Sequence, residues 1–517
     1  MKKSSRPIRL RFLIALIGNG IRAVASFSGG VLVARGLGVR AFGELSFLNG
    51  TFNSLKSLLD LGASTAFYTF ISRGGALGPY LRAYLAWLAI QFVVVAGLVG
   101  GLLPSVAYDH VWLGYPRALV LLAFLASFMQ LQVWTTVTQV GESKRETLIV
   151  QIASASIALA HLGLVWLLIR NAIISVTAVF GCIIAEYAAA AAIGVWLFRR
   201  IKTQSAGTAP EGPPPERSIL RSFMRFCRPL MLSGMAGAAY DFGDRWMLQR
   251  FGGAVNQGIY QAAYQFAAIS LFATTSILQV LWKEFSDAFA RGAQDRLAYL
   301  YVRVSKCVVV IGAAVSGFLI PWSAEIIRAM LGREFKGSGA VLGLLFLYPV
   351  HQALGQVTGT LAFATGETWI FSKVTVGFTV ISLVLSYLLQ APMDALVPGL
   401  AMGAMGLAIK TVGLNIISVN TLGWLLARRH RWKFDWTYQF VALAISLALG
   451  IVIKWSIFSV WRPAEISLAT LAGPLMLAAA LFAAIQIAIV YRYPALVGFT
   501  RNELVGYWHA FLRRRAT

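Results

Sequence analysis

Apolar residues in this chain come in blocks of about 20, each closed by a short polar or basic break, from one end to the other. A helix of that length crosses a hydrocarbon layer of about 30 Å. The blocks predict fourteen spans, at 12–34, 44–66, 83–103, 117–139, 148–169, 174–198, 228–250, 259–284, 303–321, 338–364, 371–390, 398–426, 438–460 and 467–491. Nothing between them is long enough for a soluble domain of even about 50 residues. The predicted fold class is an all-α polytopic membrane protein.

The pattern also repeats. Val33-Ala34-Arg35-Gly36-Leu37-Gly38-Val39-Arg40-Ala41-Phe42-Gly43 lies between spans 1 and 2, and Leu248-Gln249-Arg250-Phe251-Gly252-Gly253 through Gly258-Ile259-Tyr260 lies between spans 7 and 8. Arg35, Gly38 and Gly43 align without a gap on Arg250, Gly253 and Gly258. A weaker echo places Gly141-Glu142 at the end of span 4 against Gly366-Glu367 at the end of span 10. Between the copies, 202–217 holds Ala209-Pro210-Glu211-Gly212-Pro213-Pro214-Pro215, a composition that blocks regular structure. The predicted organisation is a six-helix lobe at 1–201, a cytoplasmic linker at 202–217, a second six-helix lobe at 218–433, and two additional helices with a basic tail at 434–517. Spans 1 and 7, and 4 and 10, run the same way, so the lobes are parallel repeats about an axis along the membrane normal.

Composition agrees: 58% of the 517 residues are hydrophobic and 13% charged, against about 25% charged in soluble domains. Mean hydropathy is +0.71. A net charge of +25 would suggest nucleic acid in a soluble chain. Here the basic residues concentrate in alternate loops, with Lys2, Lys3, Arg199, Arg200, Arg428, Arg429 and Arg513 to Arg515 on one side. That is the positive-inside pattern, which places both termini in the cytoplasm and names no nucleic-acid partner. The apolar run from Phe12 to Ala34 is too long for a cleaved signal core. Cys182, Cys227 and Cys307 are isolated, the five histidines fit no zinc spacing, and no Gly-x-x-x-x-Gly-Lys-Ser/Thr loop occurs. The expectation is a protein that moves something rather than converts it: not an enzyme, with no cofactor.

Ionisable residues inside the spans are the candidate site, because each costs at least about 2.5–3.5 kcal/mol at the bilayer centre. Lys56–Asp60 in span 2 and Asp241–Arg245 in span 7 have the i,i+4 spacing of pairs that neutralise each other. Asp244 and Arg245 lie in the outer half of span 7, as structural or gating residues, together with the repeated Arg35 and Arg250. His161 reads as a hydrogen-bonded packing residue, and Lys454 as able to reach an interface. Arg22, Glu186 and Lys410 lie near mid-span without an opposite charge three or four residues away. Arg22 and Lys410, one per lobe, suit an anionic passenger, since guanidinium and ammonium groups grip phosphate oxygens. Glu186 is open to three readings: a proton site, a cation site, or a counter-ion to one of them.

Arg35-Gly36-Leu37-Gly38 with Phe42-Gly43, then Leu59-Asp60-Leu61-Gly62 and Phe70-Ile71-Ser72-Arg73, resemble the N-terminal signature of the polysaccharide-transporter branch of the multidrug/oligosaccharidyl-lipid/polysaccharide exporter superfamily, the Wzx-type flippases. Asp244-Arg245 with Phe251-Gly252-Gly253 is similar to that family's mid-chain signature. Val39-Arg40 departs from a common Pro-acidic pair, and Lys56 is an unusual charge for span 2. The resemblance implies two lobes around a central cavity and alternating access in a bacterial inner membrane. Its implied passenger is an undecaprenyl-diphosphate-linked oligosaccharide, contacted by Arg22, Lys56 and Lys410. An ion gradient, of protons or sodium, is implied to act through Asp60, Glu186 or Asp241. Membrane lipids and the polymerase and glycosyltransferases of a polysaccharide pathway are the implied partners. Two alternatives stay open: a cation-coupled multidrug exporter of the same superfamily, and a non-transporting scaffold for polysaccharide assembly. In either family reading the repeated Arg-Gly-Gly turn shapes hinges at the outer ends of spans 1 and 7, and it sets Glu186 and Lys410 as near-equivalents in spans 6 and 12.

Overall fold

The computed structural model describes residues 8–72, 77–144, 146–200, 216–269, 284–461, 465–500 and 503. All regular structure among them is helical. Two compact units emerge, Met1–Gly258 and Ile259–Thr517. The first contains α1 Ile8–Asp60, α2 Ala63–Ser72, α3 Leu77–Gly97, α4 Ser105–Trp112, α5 Arg117–Phe128, α6 Trp134–Ser143, α7 Thr147–Arg170, α8 Val176–Arg200 and α9 Glu216–Met247. Helix α10, Gly253–Ile269, begins there and runs into the second unit. The second continues with α11 Gln294–Leu331, α12 Ser338–Leu345, α13 Tyr348–Ala364, α14 Thr368–Gln390, α15 Gly403–Arg429, α16 Thr437–Val460 and α17 Leu468–Arg492.

Among the described residues, ten helices are long and apolar enough to cross a membrane, and they coincide with predicted spans 3–6 and 9–14. Spans 1 and 2 share α1, and spans 7 and 8 fall on α9 and α10. The inner part of span 8 (270–283), linker residues up to 215, Arg73 and the basic C-terminal tail lie outside the described residues.

The repeat is a repeat of conformation. Helix α1 breaks at Gly38 (φ 75°, ψ 168°), and Gly253, between α9 and α10, takes φ 72° and ψ 179°. That region of backbone space is open essentially to glycine alone. Five residues on, the copies meet. A methyl at Gly43 would overlap the Ala254 carbonyl oxygen and stand 2.8 Å from the Gly258 nitrogen; one at Gly258 would overlap the Val39 carbonyl oxygen. Val39 and Ala254 occupy the same repeat position, so the contact is reciprocal, as at a two-fold axis.

The second echo is real but displaced by four residues from the sequence reading. Gly141 is helical, whereas Gly366 has φ 76°. The matching pair is Glu146 (φ −92°, ψ 43°) and Glu367 (φ −80°, ψ 39°), each immediately before α7 or α14. Their amides close the preceding helices on Gly141 and Ala362 carbonyls at 3.0 and 2.8 Å. Glu146 and Glu367, not Glu142 and Glu367, are the equivalent residues.

Helix directions follow from facing pairs. Helices α1 and α7 run parallel, with Gly18 against Gln151, Gly29 against His161 and Gly36 against Ile169. So do α13 and α15, through Asn415 on the Tyr348 carbonyl and Gly355 against Val419. The second half of α1 and α9 are antiparallel, with Gly50 on Arg245 and Ser57 on Gly234. Odd spans parallel to odd spans, even to even, and odd against even is what fourteen alternating crossings require. The added helix α16 lies parallel along α11: Ser446 packs on Gly317, Gly450 on the Gly317 carbonyl, and Lys454 reaches Glu325. Pro321 cannot donate to that carbonyl, and glycine at 450 is what lets α16 close over it.

Candidate functional site

In the first unit, the polar residues gather at two levels. The lower group surrounds the end of α1. Leu61 (φ 48°) and Gly62 (φ 84°) turn the chain, and Asp60 caps the following helix by accepting from the Ser64 amide at 3.1 Å and its hydroxyl at 2.7 Å. The i,i+4 spacing suggested a Lys56–Asp60 pair, but no ion pair joins them; the carboxylate is consumed by capping α2. Gln91 donates to the Leu59 carbonyl at 3.1 Å, and Gln132 donates to Gln91 at 3.1 Å. Lys56 lines a small cavity among Phe52, Gln91, Ser127 and Gln132, with space for roughly one water molecule. That cavity lies within the unit, between α1, α3 and the α5–α6 rod.

The π-helical turn Met129–Val133, between α5 and α6, adds a residue to the helix and aims two glutamines at different neighbours. Gln132 serves the lower group, whereas Gln130 donates to the Tyr187 hydroxyl at 3.1 Å. Tyr187 belongs to the upper group, with Arg22, His161 and Glu186. The His161 Nδ1 stands 3.0 and 3.1 Å from the two Glu186 carboxylate oxygens. An ionised carboxylate only accepts, so with Glu186 in that form Nδ1 carries the hydrogen. The Glu186 side chain is 3% exposed and the His161 side chain 22%. His161 is hydrogen-bonded, as its sequence reading expects, and its partner is Glu186, which has no opposite charge on its own helix. Its ring edge rests 3.3 Å from where a Gly29 methyl would be. Arg22 is exposed, within Coulomb range of Tyr187, and no ion pair engages it among the described residues.

The remaining sequence candidates lie elsewhere on α1, on α9 and the turn after it, and on α15. Asp241 is exposed and Asp244 buried. Arg245 lies flat on Gly50, where a methyl would stand 2.5 Å from its Cδ, so it is a packing element of the α1–α9 contact. Arg35 and Arg250 are exposed, each three residues before its backbone break. Lys410, in the second unit, is 2% exposed, so this conformation does not present it to an open cavity. Its neighbour Thr411 bonds the Tyr260 hydroxyl at 3.2 Å. Glu186 lies ten residues after the start of α8 and Lys410 seven after the start of α15, one helical turn apart in relative depth.

Two arrangements were not foreseen. Gln439 and Asn420 exchange amide bonds at 2.8 and 3.2 Å, and the His351 Nε2 lies 3.1 Å from the same Gln439 oxygen, tying α13, α15 and α16 together. All three are buried. Lys454, which read as an interfacial residue, instead donates to Glu325 at 2.7 Å and to the Pro321 carbonyl at 2.6 Å.

The helices share their fold with several solved membrane transporters. The lipid II flippase MurJ in its inward closed conformation superposes with a TM-score of 0.65 over 93% of this chain and 99% of its own, at 13% identity. An inward-facing multidrug resistance MATE family transporter of the MOP superfamily gives 0.59 over 80% and 98%, at 16% identity. A MOP superfamily transporter from Pyrococcus furiosus, described as having a binding pocket of reverse polarity, gives 0.52 over 81% and 94%, at 16% identity. No curated protein sequence matches the chain. Residues 11–286 match the family described as polysaccharide biosynthesis protein, and the chain belongs to that family.

Proposed function

We propose that this protein is a flippase that carries an undecaprenyl-diphosphate-linked oligosaccharide from the cytoplasmic to the periplasmic leaflet for surface polysaccharide synthesis. It does so by alternating access, in a bacterial inner membrane with both termini cytoplasmic. The observation that carries the reading is Arg22: a guanidinium at mid-span, exposed and outside any ion pair among the described residues, in a chain of the polysaccharide biosynthesis family. Such a charge is expensive to retain unless an anion meets it. A diphosphate head offers the paired oxygens that a guanidinium fork binds best. Lys410 and Lys56 are the other candidate contacts of the passenger. Asp60, Glu186 and Asp241 were the candidates for ion coupling, and Glu186 fits that role best, because Asp60 is engaged in capping and Asp241 is exposed. The lobes 1–201 and 218–433 are the moving bodies of this proposal.

The test is Arg22→Gln and Lys410→Gln, singly and together, in the native host. Loss of surface polysaccharide at unchanged protein level is expected for Arg22→Gln and for the double variant. Normal polymer from a stably expressed double variant, or drug sensitivity on deletion with normal polymer, overturns the proposal.

A further inference from the structure

Helix α9 begins at Glu216, well before position 228, where the apolar pattern starts span 7. The residues 228–247 rise about 30 Å and suffice to cross the hydrocarbon. The stretch 216–227 therefore carries the same helix about 18 Å further, through the headgroup layer and beyond it.

The two sides of that stretch differ. Ile219, Phe223, Phe226 and Cys227 stand at i, i+4, i+7 and i+8, which is one face of a helix. Ile219 and Cys227 are buried. The two phenylalanines pack on Phe70 with ring centroids 5.5 and 5.9 Å apart, and Phe223 lies 6.0 Å from Tyr80. This face is pinned to α2 and α3, which fixes the rotation of the helix. Arg217, Arg221, Arg225 and Arg228 stand at i, i+4, i+8 and i+11, nearly opposite the apolar face. Arg221, Arg225 and Arg228 are exposed, and among the described residues no ion pair engages them. Between Glu216 and Asp241, α9 has no acidic residue that could do so.

A topological signal needs cations on this side of the membrane, and lysine serves it as well as arginine. It explains neither the alignment on one face nor the use of arginine alone. Other basic stretches mix the two, as in Lys144-Arg145 and Arg431-Trp432-Lys433, whereas α9 has no lysine. Guanidinium forks take phosphate oxygens two at a time. Arg225 lies about 4.5 Å and Arg221 about 10 Å below Arg228 along the axis. The row thus crosses the headgroup layer instead of lying in its plane. Two linked phosphates meet forks at successive depths there, while the single phosphate of a glycerophospholipid meets one.

We infer that Arg221, Arg225 and Arg228 form a docking row for a lipid diphosphate in the leaflet at the inner end of span 7, occupied before the head reaches Arg22. This rests on the proposed passenger and adds a station that the mid-span charges do not supply. Exposed charge pairs are individually weak, so the row gathers the head without trapping it.

The experiment is equilibrium binding of radiolabelled farnesyl diphosphate and farnesyl monophosphate to purified protein in phosphatidylcholine nanodiscs. Arg22→Gln serves as the parent, so that the mid-span contact is silent. Two triple variants are built on it, with Arg221, Arg225 and Arg228 all changed to Gln or all to Lys; the Lys set keeps charge and topology. The parent should retain binding that favours the diphosphate, and the Gln set should bind it roughly tenfold more weakly. The Lys set should lose the preference for diphosphate over monophosphate. Adding phosphatidylglycerol to the nanodisc should leave diphosphate binding to the parent in place. No residual binding in the parent, or triple variants that match it, overturns the row while leaving the flippase reading standing. Displacement of the probe by phosphatidylglycerol makes the row a general anionic-lipid surface and overturns the diphosphate assignment. Failure of farnesyl diphosphate to bind wild type at all overturns both readings.

Discussion

Adding one methyl group to Gly43 or Gly258 tests the reciprocal crossing of the two repeats. The new carbon at Gly43 overlaps the Ala254 carbonyl oxygen and stands 2.8 Å from the Gly258 nitrogen; at Gly258 it overlaps the Val39 carbonyl oxygen and stands 3.2 Å from the Gly43 nitrogen. Ordinary contacts of this kind are about 3.5–4.0 Å. The obstructing atoms are backbone, which cannot rotate away, so one helix must shift by about 1 Å or more. Overpacking of this kind costs about 1–3 kcal/mol. Gly413→Ala is the control, because nothing lies within 4 Å of its methyl; in a helix it should be neutral or stabilise by up to about 1 kcal/mol. The assay is SDS titration in mixed micelles, followed by tryptophan fluorescence. Gly43→Ala and Gly258→Ala should each lower the apparent unfolding free energy by about 1–3 kcal/mol. The double variant should cost less than their sum, since the first methyl already opens the crossing. If Gly43→Ala behaves like Gly413→Ala, or the pair is strictly additive, the crossing is not as described.

Three further outcomes follow from particular bonds. Asp60→Ala removes both bonds to Ser64 and should cost about 1–2 kcal/mol in the same titration, with Asp60→Asn intermediate; a Lys56→Met variant should be far milder, and the reverse order would restore the ion-pair reading. Gln439→Leu strands the His351 ring nitrogen and the Asn420 amide, at about 1–3 kcal/mol for each orphaned group. Replacing all three with apolar residues should cost less than that single change, and equal loss would argue against a shared network. The Glu503 carboxylate, outside the spans, is held down to about 2 by the Thr500 amide first, then the Thr500 and Tyr299 hydroxyls, with Arg303 adding a smaller share. A lowered value means docking of 494–500 through Glu503 is fully supported above about 4.5 and lost as pH falls from there towards 2. A spin label at Ala495→Cys should become mobile over that window, and adding Glu503→Gln should make it mobile at every pH; mobility independent of pH in the parent contradicts the docking.

Much of the architecture was legible because a bilayer imposes one length on every span. All fourteen spans were legible as apolar blocks, and the duplicated glycines set the two copies in register. The glycines were legible for a physical reason: Gly38 and Gly253 occupy backbone space closed to other residues, and Gly43 and Gly258 have no room for a side chain. The Gly-Glu echo misled by four residues because a two-residue match carries no conformational constraint. For the site, the insertion cost of charge pointed to Arg22, Glu186 and Lys410, but partners are set by packing. His161 joined Glu186 only once α7 and α8 had a fixed rotation. Asp60 shows the same limit: the spacing to Lys56 permits a pair, and the turn at Leu61–Gly62 gives its carboxylate a nearer donor. The amide network of Gln439 and Asn420 escaped because uncharged amides do not mark a span, although burying them unpaired also costs several kcal/mol.

Translocation itself is the central claim, and reconstitution measures it. Purified protein in proteoliposomes would be given a fluorescent undecaprenyl-diphosphate-linked oligosaccharide from the native host, and its transfer between leaflets read by accessibility to an impermeant quencher. The account predicts protein-dependent transfer that slows at least tenfold in Arg22→Gln, with helix content unchanged. Transfer no faster than in protein-free vesicles, or equally fast in Arg22→Gln, would contradict it.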